Sequence, residues 1–157
     1  MKNSGFTLIE LMITIAIIAL LTSIIITSAG PSRSKSRDLK RISDMGQLQL
    51  ALELYFDRCK HYPITLETGN SANVCTVSSG ASVNVDTYIS QIPTAPSPST
   101  YTYITDSAHD DYVLYTTLEN AVDAQKDSLS DSHKPSFASA IACYSATNLL
   151  SYCLGPK

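Results

Sequence analysis

An α+β fold is the class this sequence predicts: one long N-terminal helix, its first half apolar and its second half amphipathic, packed on a small antiparallel sheet of 3–4 strands. Three observations predict it. Residues 6–29 carry a single formal charge, Glu10. Leu39, Ile42, Met45, Leu48, Leu52, Tyr55 and Cys59 then recur at intervals of three or four, the spacing of a helix with one buried stripe. Two β-rich stretches, 100–105 and 112–118, flank the turn-forming run Asp106-Ser107-Ala108-His109-Asp110, which reads as an antiparallel hairpin.

The apolar run comes first. As a helix, residues 6–29 would be about 36 Å long, enough to cross a hydrocarbon layer of ~30 Å. A carboxylate inside such a span costs at least ~2.5 kcal/mol and usually has a partner. Glu10 lies one helical turn from Phe6, so a partner near Phe6 is the natural expectation. An ordinary signal peptide, with Thr27-Ser28-Ala29 as cleavage site, fits less well. The run exceeds the usual ~7–15 residues, and a signal peptide gives Glu10 no purpose.

The residues Lys2-Asn3-Ser4-Gly5 followed by Phe6-Thr7-Leu8-Ile9-Glu10-Leu11 resemble the class III leader and first turn of a type IV pilin or pseudopilin. The resemblance implies the type IV pilin fold. It also implies cleavage by a membrane prepilin peptidase between Gly5 and Phe6, and N-methylation of Phe6. Glu10 would pair with the terminal amine of a neighbouring subunit during assembly. The physics agrees: an isolated amine and an isolated carboxylate are each expensive in an apolar phase, and together much less so. The expected organisation is a leader at 1–5, a membrane and filament-core helix at 6–29, its amphipathic continuation at 30–60 and a globular head at 61–157.

The formal net charge is −3, and losing Lys2 with the leader would make it −4. Its distribution is uneven. Arg33, Lys35, Arg37, Lys40 and Arg41 cluster just after the apolar run, while residues 61–125 contain no Lys or Arg. A head without a basic surface gives no reason to expect nucleic acid as a direct partner. The basic cluster reads as a solvated helix face beside a membrane, able to meet the acidic head of a stacked neighbour. By the count of Lys and Arg alone this cluster would stay in the cytoplasm. The resemblance implies the reverse orientation, and the four cysteines suit it.

Gly30-Pro31 interrupts the apolar run. A kink or local unwinding is expected there, because proline removes a helical hydrogen bond. The helix should continue to about Arg58 and end at Lys60-His61-Tyr62-Pro63. This Tyr-Pro, and the preceding Leu52-Glu53-Leu54-Tyr55-Phe56-Asp57, are similar to the same family. Residues 64–81 read as a polar surface connection, and 85–92 as a short element with a helical turn. Pro93, Pro96 and Pro98 break regular structure. After the hairpin, 120–135 reads as loop. Residues 137–144 and 148–153 are expected to supply a third strand and a C-terminal edge element.

Cys59, Cys75, Cys143 and Cys153 are an even set in a chain whose bulk should leave the cytoplasm, so two disulfides are expected. Three pairings are possible. Cys59–Cys75 and Cys143–Cys153 are favoured because short loops close most readily. A zinc site is disfavoured: there is no C-x-x-C, and the three histidines stand apart.

Catalytic motifs are absent: no phosphate-binding Gly loop, no H-E-x-x-H and no G-x-S-x-G. No enzyme activity and no cofactor are expected. Asp106, Asp110 and Asp111 are the only acidic cluster that could hold calcium, although hairpin carboxylates are more often turn formers. Major pseudopilins have an Asp- and Gly-rich calcium loop after the hairpin and an Asp-Pro-Trp-Gly element before it. This chain has neither, and Ile92-Pro93-Thr94-Ala95-Pro96 stands in the second place.

That difference favours a pilus subunit. It would sit in the inner membrane before assembly and polymerise into an extracellular helical homopolymer. Its partners would be copies of itself, the prepilin peptidase, and an inner-membrane assembly platform with its ATPase. The alternatives are a pseudopilin of a type II secretion or DNA-uptake system, acting in the periplasm, and a membrane-tethered binding protein or enzyme.

Overall fold

The computed structural model describes residues 5–121, 128–145, 147 and 149–156, without the side chains of 24–29. The expectations for the leader residues 1–4, for the Thr27-Ser28-Ala29 site and for part of the 120–135 loop lie outside the described residues. The chain divides into two units, residues 1–36 and 37–157. One helix, α1 (Leu8–Cys59), contributes to both.

In the first unit α1 stays helical through Gly30 and Pro31, so of the kink or local unwinding expected there, the unwinding does not occur. Proline removes one backbone donor, a small loss within a helix of 52 residues. The Ser34 hydroxyl donates back to the Pro31 carbonyl at 3.0 Å. Among the described residues no helix is long and apolar enough to cross a membrane; the expected 6–29 span ends in side chains outside the description.

The second unit is the head, and residues 37–59 of α1 form its spine. Met45, Leu48 and Leu52 are fully buried and meet Tyr62, Tyr112, Leu114, Leu118 and Tyr152. Burying one such side chain contributes about 1.5–3 kcal/mol. Tyr55 packs separately with Val83 and Val85. The helix ends at Cys59 because Lys60 turns to φ 61°, the left-handed conformation that closes many helices. The Lys60 N–H still reaches the Phe56 carbonyl at 2.8 Å.

Two small antiparallel sheets complete the head. β1 (Cys75–Thr76) pairs with β2 (Ser82–Val83). β3 (Thr102–Thr105), β4 (Tyr112–Thr117) and β5 (Ser151–Leu154) form the second sheet in that order, with Tyr103 opposite Leu114 and Tyr115 opposite Cys153. Central β4 is buried on both faces. Tyr112 and Leu114 face the α1 cluster, while Val113 faces Ala138, Ile141, Cys143 and Cys153, as the period of two requires.

Disulfides join Cys59 to Cys75 and Cys143 to Cys153, with Cα atoms 5.8 and 5.6 Å apart. The first ties the end of α1 to β1. The second fastens the 136–144 segment to β5, and both of its cysteines are fully buried.

Four expectations are corrected. Segment 64–81 is not merely a connection, since it carries a 3-10 turn (Ser71–Asn73) and β1. Segment 137–144 is not a strand. It forms a 3-10 turn at Ser136–Ala138 and a single bridge from Tyr144 to Ser130, and the third strand is β5. Leu39 does not belong to the buried stripe and is 56% exposed. Asp38 and Arg41 occupy the interior instead, so the basic cluster is not uniformly a solvated face.

Candidate functional site

The first unit presents an apolar surface on every side of α1. Phe6 is 80% exposed and Leu8 76%, and Ile9, Leu11, Met12, Ile13, Ile15, Ile17, Ile18, Leu20 and Leu21 are exposed as well. A helix apolar all round is suited to a membrane or to the interior of an assembly.

Thr7 organises the start of this helix. Its carbonyl accepts the Leu11 N–H at 3.3 Å, and its hydroxyl oxygen accepts the Glu10 N–H at 3.4 Å. Thr7 is therefore the N-cap, and Glu10 is the third helical residue. Thr-x-x-Glu is the capping-box pattern. The Thr7-x-x-Glu10 spacing is the sequence signal for this cap, set among apolar residues.

A carboxylate in the first turn is favoured by the positive end of the helix dipole, by about 0.3–1 kcal/mol. Among the described residues, the Glu10 carboxylate makes no hydrogen bond and no ion pair. Gly5 and Phe6 precede the helix outside regular structure and are exposed, a form open to a peptidase. The site thus brings together the expected scissile bond, the expected methylated residue and the acid within one helical turn.

The other sequence candidates lie in the head. Asp106 is a turn former: its carboxylate accepts the N–H groups of Ala108, Asp110 and Asp111 at 3.1, 3.0 and 3.2 Å. Desolvation opposes ionisation of Asp106, but those backbone donors outweigh it and the pKa is lowered. Asp111 goes the other way, raised by desolvation despite the Tyr112 N–H, with the charges of Asp106 and Asp110 adding to the rise. Among the described residues, no group of three or more His, Cys, Asp or Glu could hold a metal ion. His61 and His109 are half-buried and His133 is exposed. His109 stands at φ 59° in the hairpin loop, and its carbonyl accepts the Tyr62 N–H.

Sequence reasoning also missed a charged cluster that locks the head to its spine. Asp38 accepts from Arg41 at 2.6 Å, from the Glu119 and Asn120 backbone N–H groups at 2.9 Å each, and from the Asn120 side chain at 2.8 Å. Arg41 also pairs with Glu119 at 2.8 Å and donates to the Pro96 carbonyl at 2.8 Å. Arg37 grips both Glu119 oxygens, at 2.8 and 2.5 Å. Those bonds, with Arg37 first, hold the Glu119 carboxyl down at about 2.

Comparison with known proteins completes the picture. A family model described as the prokaryotic N-terminal methylation motif matches residues 1–26. Type II secretion system core protein G of Escherichia coli (strain K12) is 32% identical over 116 residues, covering 72% of this chain and 79% of that protein. The protein of the same name from Klebsiella pneumoniae is 27% identical over 131 residues, 82% of this chain and 93% of its own. A probable minor fimbrial protein of Dichelobacter nodosus is 37% identical over 95 residues, 56% of this chain and 57% of its own. No solved structure matches.

A methylation-motif helix joined to a small α+β head defines the class of pilin-like proteins. Within that class, the chain belongs to the family of type II secretion system core protein G. These relatives favour the pseudopilin alternative over the pilus subunit that the missing calcium-loop pattern suggests.

Proposed function

We propose that this chain is a pseudopilin of a type II secretion system, a structural subunit without catalytic activity. A prepilin peptidase cuts after Gly5 and methylates Phe6. The subunit waits in the inner membrane, held by residues 6–29, with its head on the periplasmic side. An assembly platform and its ATPase then move it into a periplasmic filament of like copies.

The observation that carries this reading is the exposed, all-round apolar helix whose first turn holds one acid without a partner among the described residues. Cleavage would leave a positive amine on Phe6, immediately before the Thr7 cap. That end of the helix already carries partial positive charge, so the amine is poorly placed on its own chain. Glu10 of a neighbouring copy offers the compensating charge, and the same apolar surface exchanges lipid for helices.

Mass spectrometry of the mature chain from cells with a prepilin peptidase should find N-methylated Phe6 at its start. Glu10→Leu should be cleaved yet fail to assemble, and Glu10→Gln, which keeps a capping-box side chain, should fail as well. Normal assembly of either variant would refute the reading. The fimbrial relative supports a second reading, a minor pilus subunit; filaments on the outer cell surface at normal expression would favour it.

A further inference from the structure

The head carries a groove of about 980 Å³ along one side of its spine. Ile42, Gly46 and Gln49 of α1 form one wall, and Tyr152 and Leu154 with the chain up to Pro156 form the other. Asp110 and Asp111 line it too, as do Leu129, His133 and Pro135. Gln49 ties the walls together by donating to the Gly155 carbonyl at 2.7 Å.

Two features of the groove are not used by the described residues of one chain. Gly46 sits mid-helix, where glycine costs about 0.8–1.0 kcal/mol relative to alanine. A Cβ placed there would meet nothing within 4 Å, so the head itself does not require a glycine. A bare backbone at that point suits the close approach of another chain. The second feature is charge. The Asp111 carboxylate accepts the adjacent Tyr112 N–H at 2.7 Å, and neither Asp110 nor Asp111 has a cation beside it among the described residues. Elsewhere, Arg33 and Lys35 are exposed and make no ion pair among the described residues, in contrast to Arg37, Lys40 and Arg41.

We propose that this groove receives the 33–35 stretch of a second copy of the chain, with Arg33 and Lys35 against Asp110 and Asp111 and the helix backbone close to Gly46. The inference rests on the proposed polymer, because only polymerisation puts copies side by side at high local concentration. The acidic pair makes the contact selective, and the glycine makes it close.

Reciprocal charge reversal in the full-length chain, expressed with its assembly machinery, tests it. Like-charge juxtaposition costs several kcal/mol, and 1.4 kcal/mol is tenfold. Asp110→Lys with Asp111→Lys should therefore lower the yield of sheared filaments by about tenfold or more. Arg33→Glu with Lys35→Glu, which leaves the head untouched, should do the same. All four changes together should restore the yield. Gly46→Leu should also lower it while leaving the head's thermal midpoint unchanged or raised. Wild-type yield from the Arg33→Glu, Lys35→Glu chain would overturn the proposal. So would a loss in the aspartate variant that the basic-site reversal does not rescue, which would point to a different occupant. Glu10→Leu run in parallel separates the levels: if it abolishes filaments while the charge reversals do not matter, polymerisation stands and this groove contact falls.

Discussion

Replacing Asp38 with alanine should be among the most damaging single changes to the head. The substitution removes four hydrogen bonds, at 2.6, 2.9, 2.9 and 2.8 Å. It leaves Arg41, fully buried, with less compensating charge, and it strips the Glu119 and Asn120 backbone N–H groups of their acceptor. An orphaned donor costs about 1–3 kcal/mol when fully buried, and Glu119 and Asn120 are half-buried. Breaking a buried pair by removing one partner costs about 3–5 kcal/mol. Because Glu119 and Pro96 still hold Arg41, the total should stay near about 3–5 kcal/mol rather than exceed it. A domain stability of ~5–15 kcal/mol would lose a large share. The thermal midpoint should fall by roughly 10–20 °C, at a few degrees per kcal/mol for a head of this size.

The assay is urea unfolding of the full-length chain in detergent, followed by the near-ultraviolet circular dichroism of its nine tyrosines, there being no tryptophan. Leu39→Ala is the control. At 56% exposure it should change stability by less than about 0.5 kcal/mol. The reasoning fails if Asp38→Ala lies within about 1 kcal/mol of the parent, or if Leu39→Ala costs as much.

Acid should weaken the head in a defined window. The folded pKa of Glu119 is lowered to about 2 from an ordinary 4.5. Its stabilisation is therefore full above the unfolded value and is lost as pH falls from about 4.5 towards about 2. Glu119→Gln should flatten the urea midpoint across that interval. Asp131, lowered chiefly by its bond to Lys134, acts in the same direction, and Asp111, raised by desolvation, acts in the opposite one. Cys143→Ala with Cys153→Ala should cost about 2–5 kcal/mol, read from the same titration. Tyr103→Phe removes a 2.6 Å bond to the Pro63 carbonyl and should cost about 1 kcal/mol, with no change in filament yield.

The elements legible in the sequence are those with a repeating signal. Met45, Leu48, Leu52 and Tyr55 follow the helical period, Thr100 to Tyr103 alternate threonine with tyrosine, and Tyr112 to Leu118 are β-rich, so the spine and the hairpin can be read directly. Asp38 and Arg41 were illegible because a binary reading sends charges to solvent. Their burial depends on Glu119 and Asn120, some eighty positions away. β1 and β2 hold two residues each, too few for any period to show. The run Phe137 to Tyr144 looked like a strand because it is apolar, but the bond from Cys143 to Cys153 and the 3-10 turn before it fix a different backbone. At the amino end the acid was visible from its isolation, and the cap at Thr7 was hidden only by the apolar residues around it.

Because residues 37–59 are both the tail of α1 and the interior of the head, no seam exists at which tension could peel the two apart. A load applied along the helix must break packing at Met45, Leu48 and Leu52, and then meets a covalent stop where Cys59 is bonded to Cys75.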